Sequence, residues 1–465
     1  MESEEVLNHG KTSKPIHMIS DKSPVNFQDA LPESVEIAII GAGVIGICTA
    51  WFLAEEGLSV LVCEKGRVAG EQSSRNWGWV RQQGRDAAEL PIMMDSINAW
   101  ETIAAEIGDE IGFRRQGVMY LARKDSELAE FEKWLEIAKL HQLDSRMLSG
   151  DEVSNFIPGK PNQWKGAMYT ASDGRAEPFT AVPAMARNLQ AKGVLIRENC
   201  AVRSLDIEAG RIAGIVTEQG LVRAQTVICA GGAWSTVFLG NLDIKLPQLT
   251  VRATVARTAP LASKKLPADF YPGNAAGGGI AFRRRLDGGY TIAPGGINEH
   301  FISADSFRYL FKFLPVLKQS VRTLRLKLGN DLIERLLPMR HWSADQVSPF
   351  EKTRVLNPQP SKDGIERMRR GLRKYLPALA EVPFVEAWAG MIDVTPDVVP
   401  VMDEVAAIPG FYVATGFSGH GFGIGPGAGK VMADMVLGKQ GKFDLKRFRL
   451  SRFYDRTPLV PGPGL

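Results

Sequence analysis

The chain of 465 residues and 50.9 kDa is longer than one hydrophobic core usually grows, so two domains are expected. Its 45% apolar and 23% charged residues are ordinary for a globular protein and exclude a collagen, a coiled coil or a wholly disordered chain. The formal charge of +4 is regional: residues 306–375 hold sixteen Lys/Arg against six Asp/Glu, and the rest of the chain is acidic. Such a segment fits a solvated helical face, a field steering an anionic substrate, or a docking surface for anionic lipid or a partner. No interleaved aromatic and basic pattern points to nucleic acid. Four cysteines far apart in apolar runs and six histidines without ligand spacing suggest neither a disulfide framework nor a metal centre, and fit a reducing compartment.

Residues 1–33 are polar and mixed in charge, carry no apolar leader pattern, and read as a flexible arm. Residues 35–40 then read as a buried strand, 41–46 as a glycine turn, 45–56 as a helix and 58–64 as a second strand. The 18 uncharged residues from Ile37 to Ala54 imitate a membrane span. Their β-branched start and three glycines at turn spacing favour a soluble core element. Helices are expected at 93–107, 126–141 and 176–191, and a strand at 117–122. Short alternating strands follow, ending in a buried one at 226–230. From 246 to 293 longer alternating strands begin a second, sheet-based domain with a hairpin turning at Asp287 and Gly288. Residues 303–328 and 363–376 read as its basic helices.

The expected architecture is α/β. A Rossmann-like FAD-binding domain of glutathione-reductase type (34–110, 150–240 and 384–445) is interleaved with an α+β substrate domain on an antiparallel sheet (111–149 and 241–383). Residues 446–465 form a tail.

Gly41, Gly43 and Gly46 complete G-x-G-x-x-G between a strand and a helix. The first glycine makes the turn, the second lets a pyrophosphate approach the backbone, and the third lets helix and strand pack closely. Glu64 stands at the end of the second strand, where a carboxylate can accept from ribose hydroxyls. An acidic ribose reader disfavours a 2′-phosphate but leaves NAD and FAD open. Two further segments bear on that choice. In GEQSSRNWGWVRQQGRD, Ser73, Ser74 and Arg75 offer hydroxyls and charge to phosphate. In GFSGHGFGIGPGAGK, Gly416, Gly419 and Gly421 uncover main-chain N–H groups before another helix start, which suits the negative charge of a reduced flavin. Either segment could instead be a plain surface loop.

At these residues the chain resembles the D-amino-acid oxidase superfamily of FAD enzymes, through IIGAGVIGICTAWFLAEEG with EKG, AGEQSS, TVICAGGAWS, DVTPDVVPVMD and GFSGHGFG. It is similar in particular to bacterial L-amino-acid deaminases, through AGEQSSR, GGIAFRRRLDGGY, FKFLPVL, HWSADQVSPFEK and EAWAGMIDVTPD. The resemblance implies noncovalent FAD, since Gly390 stands where some sarcosine oxidases attach flavin through cysteine. It extends the expected FAD contacts to Val44, Ile45, Lys65, Gln72, Val202, Ala230, Gly231, His420, Phe422 and Gly423. It places the carboxylate-clamping hairpin arginine at Arg283, the aromatic wall at Trp388, and pocket-lining strand positions at Thr254 and Val255. Trp79 stands where the deaminases have a glutamine, and the GHGFG loop is shared with sarcosine and glycine oxidase-like members.

Oxidising an amine beside a carboxylate requires holding the carboxylate, presenting the Cα–H, and freeing the nitrogen of its proton. Arg283 can clamp bidentately, although alternation puts it with Arg285 on one face and Arg284 on the other, so periodicity does not choose between clamp and solvent-facing residue. Arg81 is a second candidate clamp and His420 a candidate contact to flavin or substrate, while Trp77, Trp79 and Trp388 suit a water-excluding wall. The expected activity is oxidation of an amino acid or N-alkyl amino acid C–N bond, with oxygen or a quinone as acceptor. The alternatives are a flavin-binding subunit of a multi-component opine or sarcosine-type oxidase, a D-amino-acid dehydrogenase feeding a quinone, and an NAD-linked dehydrogenase. A cytoplasmic location is expected, with peripheral membrane contact through the basic helices left open.

Overall fold

The computed structural model describes residues 17–157, 163–261, 273–321, 323–329 and 339–462. Its first sheet is built around Ser34–Ile40, which runs parallel to Val60–Cys63 on one side and to Gly220–Cys229 on the other. Leu195–Arg197 extends the sheet beyond Val60–Cys63. The strands Val202–Glu208 and Arg211–Thr217 extend it antiparallel at the other edge, and Phe411–Thr415 joins parallel to Gly220–Cys229.

The helix Val44–Glu55 buries nine of its twelve residues, which explains its apolar composition all round. It packs against Gly421–Val436 at a distance that only glycine allows: a Cβ on Gly429 would lie 2.5 Å from the Cys48 carbonyl carbon, and one on Gly425 2.6 Å from Val44. Two segments nearly four hundred residues apart in the sequence are thereby packed together. Among the described residues no helix is long and apolar enough to cross a membrane.

Among the described residues the second sheet has ten strands. Leu249–Thr258 pairs along its length with Phe384–Val394, and the hairpin Ile280–Arg284 with Tyr290–Pro294 lies beyond it, turning through Asp287 and Gly288 as the sequence suggests. Two strands lie outside the expected division. Gly166–Thr170 and Phe384–Val394, assigned from sequence to the FAD-binding domain, are both strands of this second sheet. Alternation identifies a strand but not the partner it hydrogen-bonds.

Two local expectations are also corrected. Residues 17–33 are tied down rather than flexible: Phe27 is buried, and the backbone N–H groups of Asn26 and Phe27 donate to the Glu198 carboxylate at 2.7 and 3.3 Å. Residues 1–16 lie outside the described residues. The basic stretch 303–328 is helical only over Ala304–Arg308 and Leu310–Ser320. Leu324–Lys327 is a strand parallel to Asn298–Phe301, as its alternating apolar and basic residues fit. The C-terminal segment packs through buried Phe448 and Phe453, and Arg452 pairs with Asp397 at 2.8 Å.

Candidate active site

The glycine turn, the segment after the second strand and the GHGFG loop converge on one channel. A cavity of about 110 Å³ is lined by Gly41, Gly43, Glu64, Lys65, Gln72, Ser73, Val202, Ala230 and Gly231. It shares Gly43, Gln72, Ser73, Ala230 and Gly232 with a cavity of about 380 Å³ lined also by Val44, Ile45, Trp77, Trp79, Arg81, Arg85, Tyr120, Thr254, Val255 and Gly419 to Gly423. Two helix starts, Val44–Glu55 and Gly421–Val436, therefore open onto the larger cavity, each with first-turn N–H groups that no intrahelical carbonyl satisfies.

Gly41 and Gly46 act as their spacing predicts. Gly41 has φ +104°, and a Cβ there would lie 2.6 Å from the Ala230 carbonyl oxygen; one on Gly46 would lie 2.0 Å from the Gly41 carbonyl oxygen. Gly46 thus serves helix packing and does not face the channel. The Ser73 hydroxyl accepts from the Val44 N–H at 2.8 Å and closes the turn. The Glu64 carboxylate accepts from the Ala42 and Gly66 N–H groups at 3.0 and 2.8 Å, while burial pushes its carboxyl above the ordinary value. Lys65 reaches the wall with its ammonium paired to Glu71 at 2.7 Å.

Several expected contacts are corrected. Ser74 is buried away from both cavities, its hydroxyl directed at the Glu71 carbonyl. Arg75 lines the channel, but its guanidinium is engaged by the Gly70 and Ala389 carbonyls and Asn357, because it joins the two sheets. Trp388 is not on the wall: its indole donates to the Arg75 carbonyl at 3.0 Å and its ring packs on Phe179. Most consequentially, Arg283 does not line either cavity. Its Nη1 and Nη2 donate to the Glu177 carboxylate at 2.9 and 3.1 Å, and its Nε to the Trp77 carbonyl at 2.6 Å. The Glu177 turn has already supplied the anion that the substrate carboxylate was expected to supply.

The cations on the wall come instead from residues 81–89. Arg81 lies over the Tyr120 ring, 5.4 Å from its centroid. Arg85 is buried, its Nε donates to the Arg81 carbonyl at 3.2 Å, and its Nη1 has no hydrogen-bond partner. Burial and the neighbouring Arg81 charge pull it down to about 9. Trp79 packs edge-on against Trp77 and presents a buried Nε1–H that also lacks a partner. His420 precedes the helix Gly421–Val436, and its Nδ1 lies 3.2 Å from the carboxylate of fully buried Glu89. Burial, with Arg85 and Arg81 nearby, holds its imidazole well below the ordinary value, so it is neutral.

Arg85 and Glu89 are absent from the sequence-based candidates. No periodic spacing marks them, because residues 81–89 are turns rather than a helix. Tight backbone turns, from Gln82 to Arg85 and from Asp86 to Glu89, put Arg85 on the cavity wall and Glu89 against His420.

Comparison with known proteins places this geometry. The structure is similar to L-amino acid deaminase from Proteus myxofaciens in complex with anthranilate, with TM-score 0.88 and 30% identity over 94% of this chain and 98% of that one. Sarcosine oxidase subunit beta of Arthrobacter sp is 23% identical over 91% of this chain and 93% of its own length. Human mitochondrial dimethylglycine dehydrogenase is 21% identical over 93% of this chain, which spans only 46% of that protein; the chain covers about half the length of several such curated relatives. The family model described as FAD dependent oxidoreductase matches residues 36–435. With that match over most of its length, and a glycine turn and a second helix start opening on one channel, the chain belongs to the DAO family of FAD-dependent oxidoreductases.

Proposed function

We propose that the chain oxidises the C–N bond of an α-amino or N-alkyl amino acid to an imine, which water hydrolyses to a 2-oxo acid and ammonia or an amine. The observation that carries this reading is that Arg85 and Trp79 both line the larger cavity and each has a buried donor without a partner, Nη1 and Nε1. A buried donor left unsatisfied costs about 1–3 kcal/mol, and a substrate carboxylate would remove that cost for both.

FAD fits the channel without covalent attachment: Glu64 and the Gly41–Gly46 turn would hold its ribose and pyrophosphate, and the backbone from Gly419 to Gly423 its ring. When bound, it would accept the hydride leaving the substrate carbon. The chain's own residues do the rest. Arg85, with Arg81 beside it, binds the carboxylate through charge-assisted hydrogen bonds. Trp79, where the deaminases have glutamine, keeps an N–H donor at that position while adding apolar surface. Trp77, Trp79 and Tyr120 exclude water from the carbon that reacts. His420, held neutral, can accept a hydrogen bond from the substrate ammonium. Anaerobic mixing of the holoprotein with D-, L- and N-methyl amino acids tests this, with bleaching of the flavin's visible band as the expected result. If none of them bleaches it, the reading fails.

A membrane-borne quinone as electron acceptor is favoured by a separate surface. Phe307 and Phe311 are 65% and 82% exposed, Leu326 and Leu328 are exposed beside them, and the same stretch carries Arg308, Lys312, Lys318, Arg325 and Lys327. Apolar side chains set among lysines and arginines suit a peripheral site on anionic lipid. Sedimentation with anionic but not zwitterionic vesicles is the expected outcome.

A further inference from the structure

The hydride step leaves a question that the clamp does not answer. An amino acid arrives with a protonated nitrogen, and that proton must leave before the nitrogen lone pair can form the C=N bond. Among the described residues His420 is the only imidazole lining the cavity. Its Nδ1 is taken by Glu89, so Nε2 is the ring nitrogen left for a ligand. Whether Nε2 accepts or donates depends on the tautomer, and the group on Nδ1 sets it.

We propose that Glu89 is a positioning residue for His420, fixing the imidazole in the tautomer that offers Nε2 to the cavity as a proton acceptor. This rests on the proposed oxidation of an amino acid. With Glu89 ionised, Nδ1–H donates to Oε2. The proton of the substrate ammonium then passes to Nε2 as the Nδ1 proton passes to Oε2, so no imidazolium accumulates on a ring whose charged form is disfavoured; the nitrogen lone pair is freed, and it forms the C=N bond as hydride leaves the carbon. With Glu89 protonated, the carboxyl donates to Nδ1, the ring proton sits on Nε2, and the acceptor is lost.

Three observations support the assignment. Glu89 and His420 are 0% and 4% exposed, so their hydrogen bond does not compete with water. The second Glu89 oxygen, Oε1, has no partner, an arrangement that a purely structural carboxylate would not retain. Glu89 is also the residue from which the helix Leu90–Ile107 starts, with Met93 N–H donating to its carbonyl, so its backbone is fixed. The charged groups that face it are Arg85, Arg81 and Asp86 on the preceding turns, Arg447 from the C-terminal segment, and Asp397 from the loop after Phe384–Val394. Burial outweighs the arginines and raises the Glu89 carboxyl to about 7, which places the change of tautomer near that pH.

The test uses the holoprotein labelled with nitrogen-15 histidine, with His420→Asn to assign the signal. In the native chain the His420 proton should move from Nε2 to Nδ1 as pH rises through about 7. In Glu89→Gln this step should vanish. A tautomer that does not change with pH in the native protein, or that changes identically in Glu89→Gln, overturns the proposal. With any amino acid that bleaches the flavin, Glu89→Gln should lose the acid limb of kcat/KM and fall about tenfold at high pH with KM unchanged; an unaltered profile also overturns it. A flavin that no amino acid reduces would instead sink the functional reading, while the tautomer titration would still decide whether Glu89 sets the proton on His420.

Discussion

Arg283 and Arg85 are both nearly inaccessible, at 2% and 3% exposure, yet their surroundings are opposite. Arg283 shares Glu177 with Arg175, and its Nε is taken by a backbone carbonyl. Arg85 has a free Nη1, and its nearest acid, Glu89, is itself pushed towards the neutral form by burial. A buried cation whose donors are satisfied within the chain is part of the frame. One that keeps an unsatisfied donor on a cavity wall is a place for an anion that the chain does not provide. Position on a strand cannot separate the two cases; the count of partners does.

The contrast breaks most severely at Glu177. Glu177→Gln removes the charge that both Arg175 and Arg283 face, and should destabilise the fold by about 3–5 kcal/mol, read as a lower denaturant midpoint. If stability were unchanged, Arg283 would not be a frame residue.

Glu89 gives the next largest effect and the opposite sign. Burial raises its carboxyl from the ordinary 4.5 to about 7 in the folded chain, so the fold favours the protonated form. Its penalty is absent below the unfolded value and grows as pH rises to about 7. Glu89→Gln should therefore gain about 3 kcal/mol over the native chain at alkaline pH and nothing in acid. Equal stability differences at the two extremes would mean that Glu89 is charged at little cost.

Much of this was legible in the residues. The strand, glycine turn and helix from Ser34 to Glu55 declare themselves because each local preference agrees with the next, and the spacing of Gly41, Gly43 and Gly46 specifies what each must do. The loop at His420 was less readable, since glycines before a helix start fit a plain surface loop as well as a cavity wall, and only the fold shows it lining the cavity. The pairing choices could not be read. Nothing local tells Phe384–Val394 to join Leu249–Thr258 rather than the first sheet, nor shows that Glu177 lies against Arg283, 106 residues away. Arg85 and Glu89 were hidden for a related reason, because their role depends on partners that are missing, and a missing partner can be seen only in three dimensions.

On the cavity side, Arg85→Met keeps the length and apolar stem of the side chain but removes the guanidinium. It should lower kcat/KM for an amino acid about a hundredfold while leaving stability unchanged or slightly higher, since an under-paired buried charge is removed. A loss of stability with activity retained would reverse the roles of Arg85 and Arg283.

The smallest effect belongs to a third kind of cation, one that stays in water. Lys318 lies in the last turn of Leu310–Ser320, where solvent and salt screen its field, so Lys318→Gln should leave both folding and turnover unchanged. Near an anionic bilayer the same charge is worth about 1 kcal/mol, or about fivefold in partition. Vesicle binding should thus weaken by that factor in dilute salt, and the difference between native and variant should close as ionic strength rises. A difference that survives high salt would mean that Lys318 makes a fixed contact, and would move it from the screened class to the paired one that Arg283 represents.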